Sequence, residues 1–92
     1  MKDSRKGIDI VIPVFNEIHI AKLFTLLARD VFTEFRVLLC FDEDSDKTLT
    51  AFNQESFNFQ ILRIKNKYKG PHGAIISGFE ECKSEAVIVY PA

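Results

Sequence analysis

Ile8-Asp9-Ile10-Val11-Ile12-Pro13-Val14-Phe15-Asn16-Glu17 reads as a buried strand that ends in a candidate site. Four of the five residues from Ile8 to Ile12 are apolar and β-branched, which suits a strand covered on both faces. Pro13 has no backbone N–H, so strand pairing is expected to stop there. Phe15, Asn16 and Glu17 then fall at the strand's carboxyl end. Open α/β sheets bind ligands in the crevice outside those ends, so an aromatic ring, an amide and a carboxylate placed there are candidates for gripping a small molecule. Two structural alternatives stay open: Asn16 as the cap of the next helix, and Phe15 as a core residue. Glu17 would be costly to bury unpaired.

Downstream, the pattern repeats strand and helix. Ile20, Phe24 and Leu27, with Leu23 and Ala28 beside them, make one apolar stripe at helical period and predict a helix from about Glu17 to Asp30 over the first strand. Glu34 to Phe41 begins by alternating and becomes continuously apolar, as a strand does on entering a sheet interior. It ends at Asp42-Glu43-Asp44-Ser45-Asp46. Aspartates at every second position are similar to the opening of a calcium loop, but Lys47 stands where that loop needs glycine and Asn53 where it needs glutamate. The acids are therefore read otherwise: Asp46 or Ser45 caps a short helix through Thr48, Leu49 and Phe52, and Asp42, nearest the strand end, is the site candidate. Asn58 to Ile64 predicts a third strand near the sheet edge.

Lys65 to Ala74 carries three lysines and two glycines directly ahead of a helix predicted over Ala74 to Lys83. Glycines let backbone amides approach an anion, a helix amino end adds partial positive charge, and Lys67 or Lys69 would neutralise a pyrophosphate. The alternative is a solvated loop before a glycine-rich helix start, since neither dinucleotide nor P-loop spacing is present. In that helix Ile75, Phe79 and Cys82 form the expected stripe, and Gly78 is expected to let the helix sit close to a strand. His72, at the helix start, is expected to be structural rather than a base. Ala86 to Tyr90 is the fourth strand. The order β-α-β-α-β-α-β predicts a Rossmann-like open parallel sheet with right-handed crossovers and strand order 3-2-1-4, which lets the carboxyl ends of the first, second and fourth strands share one crevice.

Ninety-two residues allow one small domain, expected over 8–92 behind a flexible leader at 1–7. Hydrophobic content of 47% with 27% charged residues is ordinary for a soluble domain. A net charge of -1 gives no electrostatic reason to expect nucleic acid or an anionic membrane as partner. No apolar run approaches the roughly 18 residues of a spanning helix, and the polar start lacks a signal-peptide core, so a cytoplasmic location is expected. Cys40 and Cys82 are far apart and without a Cys-x-x-Cys pair, which fits reduced packing residues rather than zinc ligands.

Three motifs in order carry a resemblance. Ile10 to Glu17 is similar to the opening strand of family 2 glycosyltransferases of the GT-A fold, usually ending Pro-x-Tyr-Asn-Glu, with Phe15 in the aromatic place. Cys40-Phe41-Asp42-Glu43-Asp44-Ser45-Asp46-Lys47-Thr48 is similar to their Val-Asp-Asp-Gly-Ser-x-Asp-x-Thr, and Asn66 to Gly70 with Ala74 and Gly78 to their Asn-x-Gly-x-Gly and Ala-x-x-x-Gly stretch. Over Ile8 to Ala92 the chain resembles the amino-terminal, nucleotide-sugar-binding half of such enzymes, similar to dolichol-phosphate mannosyltransferases. Phe41 in place of the first aspartate, Glu43 in place of glycine and Tyr68 in place of the loop's first glycine are departures.

The resemblance implies a UDP- or GDP-sugar as ligand and transfer of the sugar to an acceptor such as polyprenyl phosphate or a glycan. It places Pro13, Phe15 and Glu17 on base and ribose, Asp42 on the base or nearby groups, and Lys69 with Gly70 near the phosphates. It implies a divalent metal, Mg or Mn, in a full-length parent, held by a later Asp-x-Asp that would begin at Pro91-Ala92. Metal ligands, catalytic base and acceptor half are thus expected beyond Ala92, and no residue of this chain is assigned as catalytic. A truncated domain of this kind is expected to be inactive alone and to self-associate through its fourth strand or the helix stripe; membrane attachment of the parent stays open. A non-catalytic nucleotide-binding or interaction module on the same fold is the alternative, because fold does not settle function. A receiver-like phosphotransfer domain fits less well, since the first strand ends in Phe-Asn-Glu and not in an acidic pair.

Overall fold

In the computed structural model of the chain, β1 (Arg5–Pro13), β2 (Phe35–Phe41), β3 (Gln60–Lys65) and β4 (Ser84–Val89) form one sheet. The structure describes residues 5–31, 33–68, 70–82 and 84–90, with the backbone alone for 5, 6, 70–72 and 84–86. Every pairing is parallel and the strand order is β3-β2-β1-β4, as the sequence predicts. Side chains alternate across the sheet. Ile10, Ile12, Val37, Leu39 and Phe41 meet Ile20, Phe24 and Leu27 of α1 (Ile20–Asp30) on one face. Val11 and Cys40 meet Ala74 of α2 (Gly70–Glu80) on the other.

The second crossover departs from the expected helix. It holds two 3-10 turns, Lys47–Thr50 and Gln54–Ser56. The Asp46 side chain accepts the N–H of Thr48, and that of Asn53 accepts the N–H of Glu55. The chain is thus capped afresh before an α-helix can propagate. The sheet face is covered by rings instead: Phe52, Phe57 and Phe59 pack edge-on around Phe24 with centroids at 5.1, 5.5 and 6.0 Å, the arrangement the ring quadrupole favours.

Element ends also shift. β1 begins at Arg5, three residues ahead of the expected strand, with an irregular step in its pairing to β4 where Gly7 has φ 108°. Residues 1–4 of the expected leader, and Pro91-Ala92, lie outside the described residues. The first helix starts at Ile20 rather than Glu17, because Asn16 adopts φ 50° and the chain turns through Glu17 and His19 first.

α2 begins a turn earlier than expected, so Gly70 and Gly73 belong to the helix and not to a loop. A side chain on Gly73 would overlap the Tyr68 carbonyl. The stripe that faces the sheet is Ala74, Ser77 and Gly78, all buried, whereas Ile76 and Phe79 are exposed. Of the expected Ile75-Phe79-Cys82 stripe, Phe79 is exposed, Ile75 is half-buried, and Cys82, just past the helix, packs against Val11, Cys40 and Ala74. Small residues win here because α2 sits directly on β1 and β2. A Cβ on Gly78 would lie 2.5 Å from Val11 Cγ1 and 3.0 Å from Cys40 Sγ.

One polar contact joins the same layers. Buried Arg36 on β2 donates from Nε to Asp9 Oδ1 at 2.6 Å, and from Nη2 to Asp9 Oδ2 at 3.1 Å and to the Glu81 carbonyl at 3.0 Å.

Two outcomes are expected from this packing. Alanine is the better helix former by about 1 kcal/mol, but overpacking a tight contact costs about 1–3 kcal/mol. Gly78→Ala should therefore lower the urea unfolding midpoint with an unchanged m-value. The second concerns alkaline stability. Burial first, and then the neighbouring Cys82, push the Cys40 thiol from 9.0 up to about 12, and burial pushes Cys82 from 9.0 to about 11. The folded state keeps protons that the unfolded chain releases, so this contribution is full below pH 9 and is lost as pH rises through the interval to about 12. Unfolding midpoints should fall across that window, and Cys40→Ala should flatten the fall.

Candidate functional site

The carboxyl ends of β1 and β2 are held level by their pairing. Pro13 lies opposite Cys40, and the Val14 N–H donates to the Cys40 carbonyl at 3.0 Å. Beyond them the two loops are tied across 30 residues of sequence. The Asn16 N–H donates to Asp46 Oδ1 at 2.9 Å. Asn16 Oδ1 accepts from the Lys47 N–H at 2.8 Å, and Thr48 Oγ1 accepts from the Glu17 N–H at 2.7 Å. Asn16 is suited to this place because asparagine tolerates the left-handed conformation better than most residues.

Between these loops lies an open cavity of about 210 Å³ lined by Phe15, Asn16, Asp42, Glu43, Ser45 and Asp46. That is below the roughly 300–1,000 Å³ of pockets that enclose a whole drug-sized ligand, so it suits one portion of a larger molecule. The Phe15 ring is 76% exposed and is not core, and Asn16 is not the helix cap, a position held by His19 without a side-chain bond. Asp42 Oδ1 accepts from Asn66 Nδ2 at 2.7 Å, while the Asn66 N–H donates to the Phe41 carbonyl at 2.8 Å. Asn66 Oδ1 is buried with no hydrogen-bond partner, and turning the amide over would set that oxygen against the Asp42 carboxylate. Among the described residues the lining holds three carboxylates and no lysine or arginine. Chemically it is an acceptor wall beside an exposed aromatic face, suited to N–H and O–H donors and hostile to phosphate.

Of the residues singled out from sequence, the structure brings Phe15 and Asp42 into one cavity. Pro13 is half-buried at the end of β1, and Glu17 is partly buried with its backbone pinned to Thr48; neither lines the cavity. Gly70 opens α2, whereas Lys69 and the His72 side chain lie outside the described residues. Lys67 reaches Glu80 at 3.2 Å, a hydrogen bond that raises its pKa, and its N–H donates to the buried Ser77 hydroxyl at 2.9 Å. Asp44 pairs with Lys65 at 3.1 Å on the surface.

No group of three or more His, Cys, Asp or Glu among the described residues could hold a metal ion. Asp42, Asp44 and Asp46 are each engaged by Asn66, Lys65 and backbone amides respectively, so the described residues do not fit a divalent cation. No helix among the described residues is long and apolar enough to cross a membrane. Sequence reading missed Asn16 as a left-handed residue, the long-range partners of Asp46 and Thr48, and the bond from Asn66 to Asp42. Only the Asp46-x-Thr48 cap carried a local signal.

The profile described as glycosyl transferase family 2 matches residues 9–90. Curated relatives include an undecaprenyl-phosphate 4-deoxy-4-formamido-L-arabinose transferase of Pseudomonas savastanoi pv. phaseolicola, 31% identical over 94 residues that cover 95% of this chain and 28% of that protein. The protein of the same name from Pectobacterium carotovorum subsp. carotovorum is 30% identical over 99 residues, covering 100% of this chain and 30% of its own length. The chain thus spans under a third of the length of these relatives. No solved structure matches. The match runs from Asp9 on the first strand to Tyr90 just past the fourth, with the parallel order β3-β2-β1-β4 between them: the chain belongs to glycosyl transferase family 2.

Proposed function

We propose that the chain binds the nucleotide-diphospho-sugar donor, a UDP- or GDP-sugar, of a glycosyltransferase whose acceptor is a polyprenyl phosphate. The observation that carries this reading is the meeting of the exposed Phe15 ring and the Asp42 carboxylate in one recess at the ends of β1 and β2. An aromatic face offers stacking to a base, and ionised acceptors make strong hydrogen bonds to base N–H and ribose hydroxyl groups. In this proposal Pro13, Phe15, Glu17 and Asp42 serve base and ribose. The diphosphate, repelled by the acidic wall, runs toward the amino end of α2, where Lys69 and the Gly70 backbone serve it through amide donors and the helix dipole. The polyprenyl acceptor is supported by the printed names of the relatives, which are undecaprenyl-phosphate transferases. A Mg or Mn ion on the diphosphate belongs, in this proposal, to a longer parent protein.

Titration with UDP and GDP, followed by amide NMR shifts, tests the reading. Saturable shifts are expected at residues 13–17, 40–44 and 67–73. A hydrogen bond to a charged group contributes about 1.5–3 kcal/mol, whereas an exposed ion pair such as Asp44–Lys65 contributes about 0–1 kcal/mol. Asp42→Asn should therefore weaken binding about tenfold, near 1.4 kcal/mol, and Asp44→Asn should barely change it. Shifts scattered over the surface, or equal effects of the two substitutions, would count against the site.

Self-association belongs to the same proposal. β4 pairs only with β1, and Val87, Ile88, Val89 and Tyr90 are 38–44% exposed. An apolar strand with a free edge invites pairing with a second copy. Sedimentation should show a dimer or larger species that Val89→Lys shifts toward monomer; a clean monomer at high concentration removes this part.

A further inference from the structure

Asp46 and Thr48 are polar side chains buried to 7% and 0% exposure, and neither belongs to the residues proposed above to grip the donor. Both are spent on backbone amides. Asp46 Oδ1 accepts at 2.9 Å from the Asn16 N–H in the opposite loop and at 2.8 Å from the Thr48 N–H in its own. Thr48 Oγ1 accepts from the Glu17 N–H at 2.7 Å, and Asn16 Oδ1 returns a bond to the Lys47 N–H at 2.8 Å. Three of these four bonds cross between the loops, and one carboxylate oxygen holds both the crossing strand of the network and the turn that presents Thr48.

The Phe15 ring is 76% exposed, so core packing does not place it, and its backbone runs directly into the latched Asn16. The Asn16 backbone is left-handed, φ 50°, a conformation that asparagine tolerates and that the bonds to Asp46 and from Lys47 hold in place. Loops at strand ends otherwise belong to the least protected parts of a domain. We infer that Asp46, acting with Thr48, is the positioning residue of the donor pocket: it latches the loop carrying Phe15 and Glu17 to the loop carrying Asp42, and so fixes the distance between the aromatic face and the acceptor wall. The inference rests on the donor-site reading and adds how that site is assembled. Asp46 works here as a hydrogen-bond acceptor, and its charge is not what the pocket requires.

The test compares the chain with Asp46→Ala, Asp46→Asn and Thr48→Val by three measurements: thermal unfolding, amide hydrogen exchange without ligand, and affinity for UDP or GDP at a temperature where every variant is folded. Asparagine keeps the Oδ1 acceptor, so Asp46→Asn should hold affinity within about twofold, while Asp46→Ala should weaken it about tenfold and quicken exchange at the Asn16 and Thr48 amides. Thr48→Val changes a side chain with no exposed surface and removes only the Glu17 contact; it should quicken exchange at Glu17 and weaken binding about threefold. If Asp46→Ala fails to fold, Thr48→Val decides alone. Unchanged affinity in the folded variants overturns the inference while leaving the donor site standing. So does equal loss in Asp46→Asn and Asp46→Ala, which would mean that the charge itself meets ligand. Failure of the unsubstituted chain to bind either nucleotide overturns the donor reading instead, and the exchange pattern then decides the latch separately: quickened exchange upholds it, unchanged exchange ends it.

Discussion

Arg36 joins β1, β2 and the end of α2 with one guanidinium, and the geometry of the site follows from where it sits. Arg36 and Asp9 are direct partners in the β1–β2 register, both buried, and the third contact goes to the Glu81 carbonyl just past α2. A buried ion pair is weak evidence for stability, because removing two charges from water cancels much of their attraction. Its effect falls on the alternatives. A slip of one residue would turn Arg36 to the other face of the sheet, among Ile10, Ile12 and the phenylalanines around Phe24. Stripping a buried charge of its partner costs about 3–5 kcal/mol, a large part of what a domain of this size has in reserve. The same slip would move one loop against the other by about 3.3 Å. Hydrogen bonds of 2.7–2.9 Å between Asn16, Glu17, Asp46 and Thr48 do not survive such an offset. The charged pair at the amino end of the strands thus fixes, through the register, which loop residues meet at the carboxyl end.

The two faces of the sheet solve the burial problem in different ways. Over Val11 and Cys40, α2 comes close enough that Gly78 has no room for a methyl group, and the helix contributes Ala74, Ser77 and Gly78 instead of its larger side chains. On the opposite face the second crossover, lacking a full helix, fills the layer with aromatic volume from Phe52, Phe57 and Phe59. Close backbone approach and bulky rings are both ways of excluding water from a sheet whose central strands are apolar on each side.

Much of this was legible in the sequence, and the failures have common causes. The β-branched run at Ile8 to Ile12, the apolar stretch ending at Phe41 and the stripe Ile20-Phe24-Leu27 are local periodicities, and they lead to the parallel sheet, its strand order and the first helix. Periodicity reports which residues are apolar, not how near two backbones come. Gly78 was expected to bring the helix close to a strand, and it does, but that approach leaves no room on the sheet side for Phe79, which the stripe had placed there. Asp46 caps the second crossover as expected, but Asn53 caps a new turn seven residues on, so the expected helix is divided into two 3-10 turns. In the site, Phe15 and Asp42 were legible because each follows directly on a strand end. The Asn16–Asp46 bond was not, since it spans 30 residues and depends on a backbone angle that no local pattern announces.

The distribution of charge around the cavity constrains the pose of any donor in the proposed site. Among the described residues Asp42, Glu43 and Asp46 line the recess without a cation, while Lys67, on the loop ahead of α2, is turned to Glu80. Two unit charges a few ångströms apart near a protein surface interact by about 4 kcal/mol, so a diphosphate carrying more than one charge is strongly disfavoured in the recess. Base and ribose, which present donors, are favoured there by the exposed Asp42 and Glu43 carboxylates. An acidic pocket at the ends of β1 and β2 and a helix amino end after β3 are therefore not rival sites. In the proposed pose they are opposite poles, and a molecule with donor groups at one end and phosphates in its middle would satisfy both only in one direction, base inward and sugar outward.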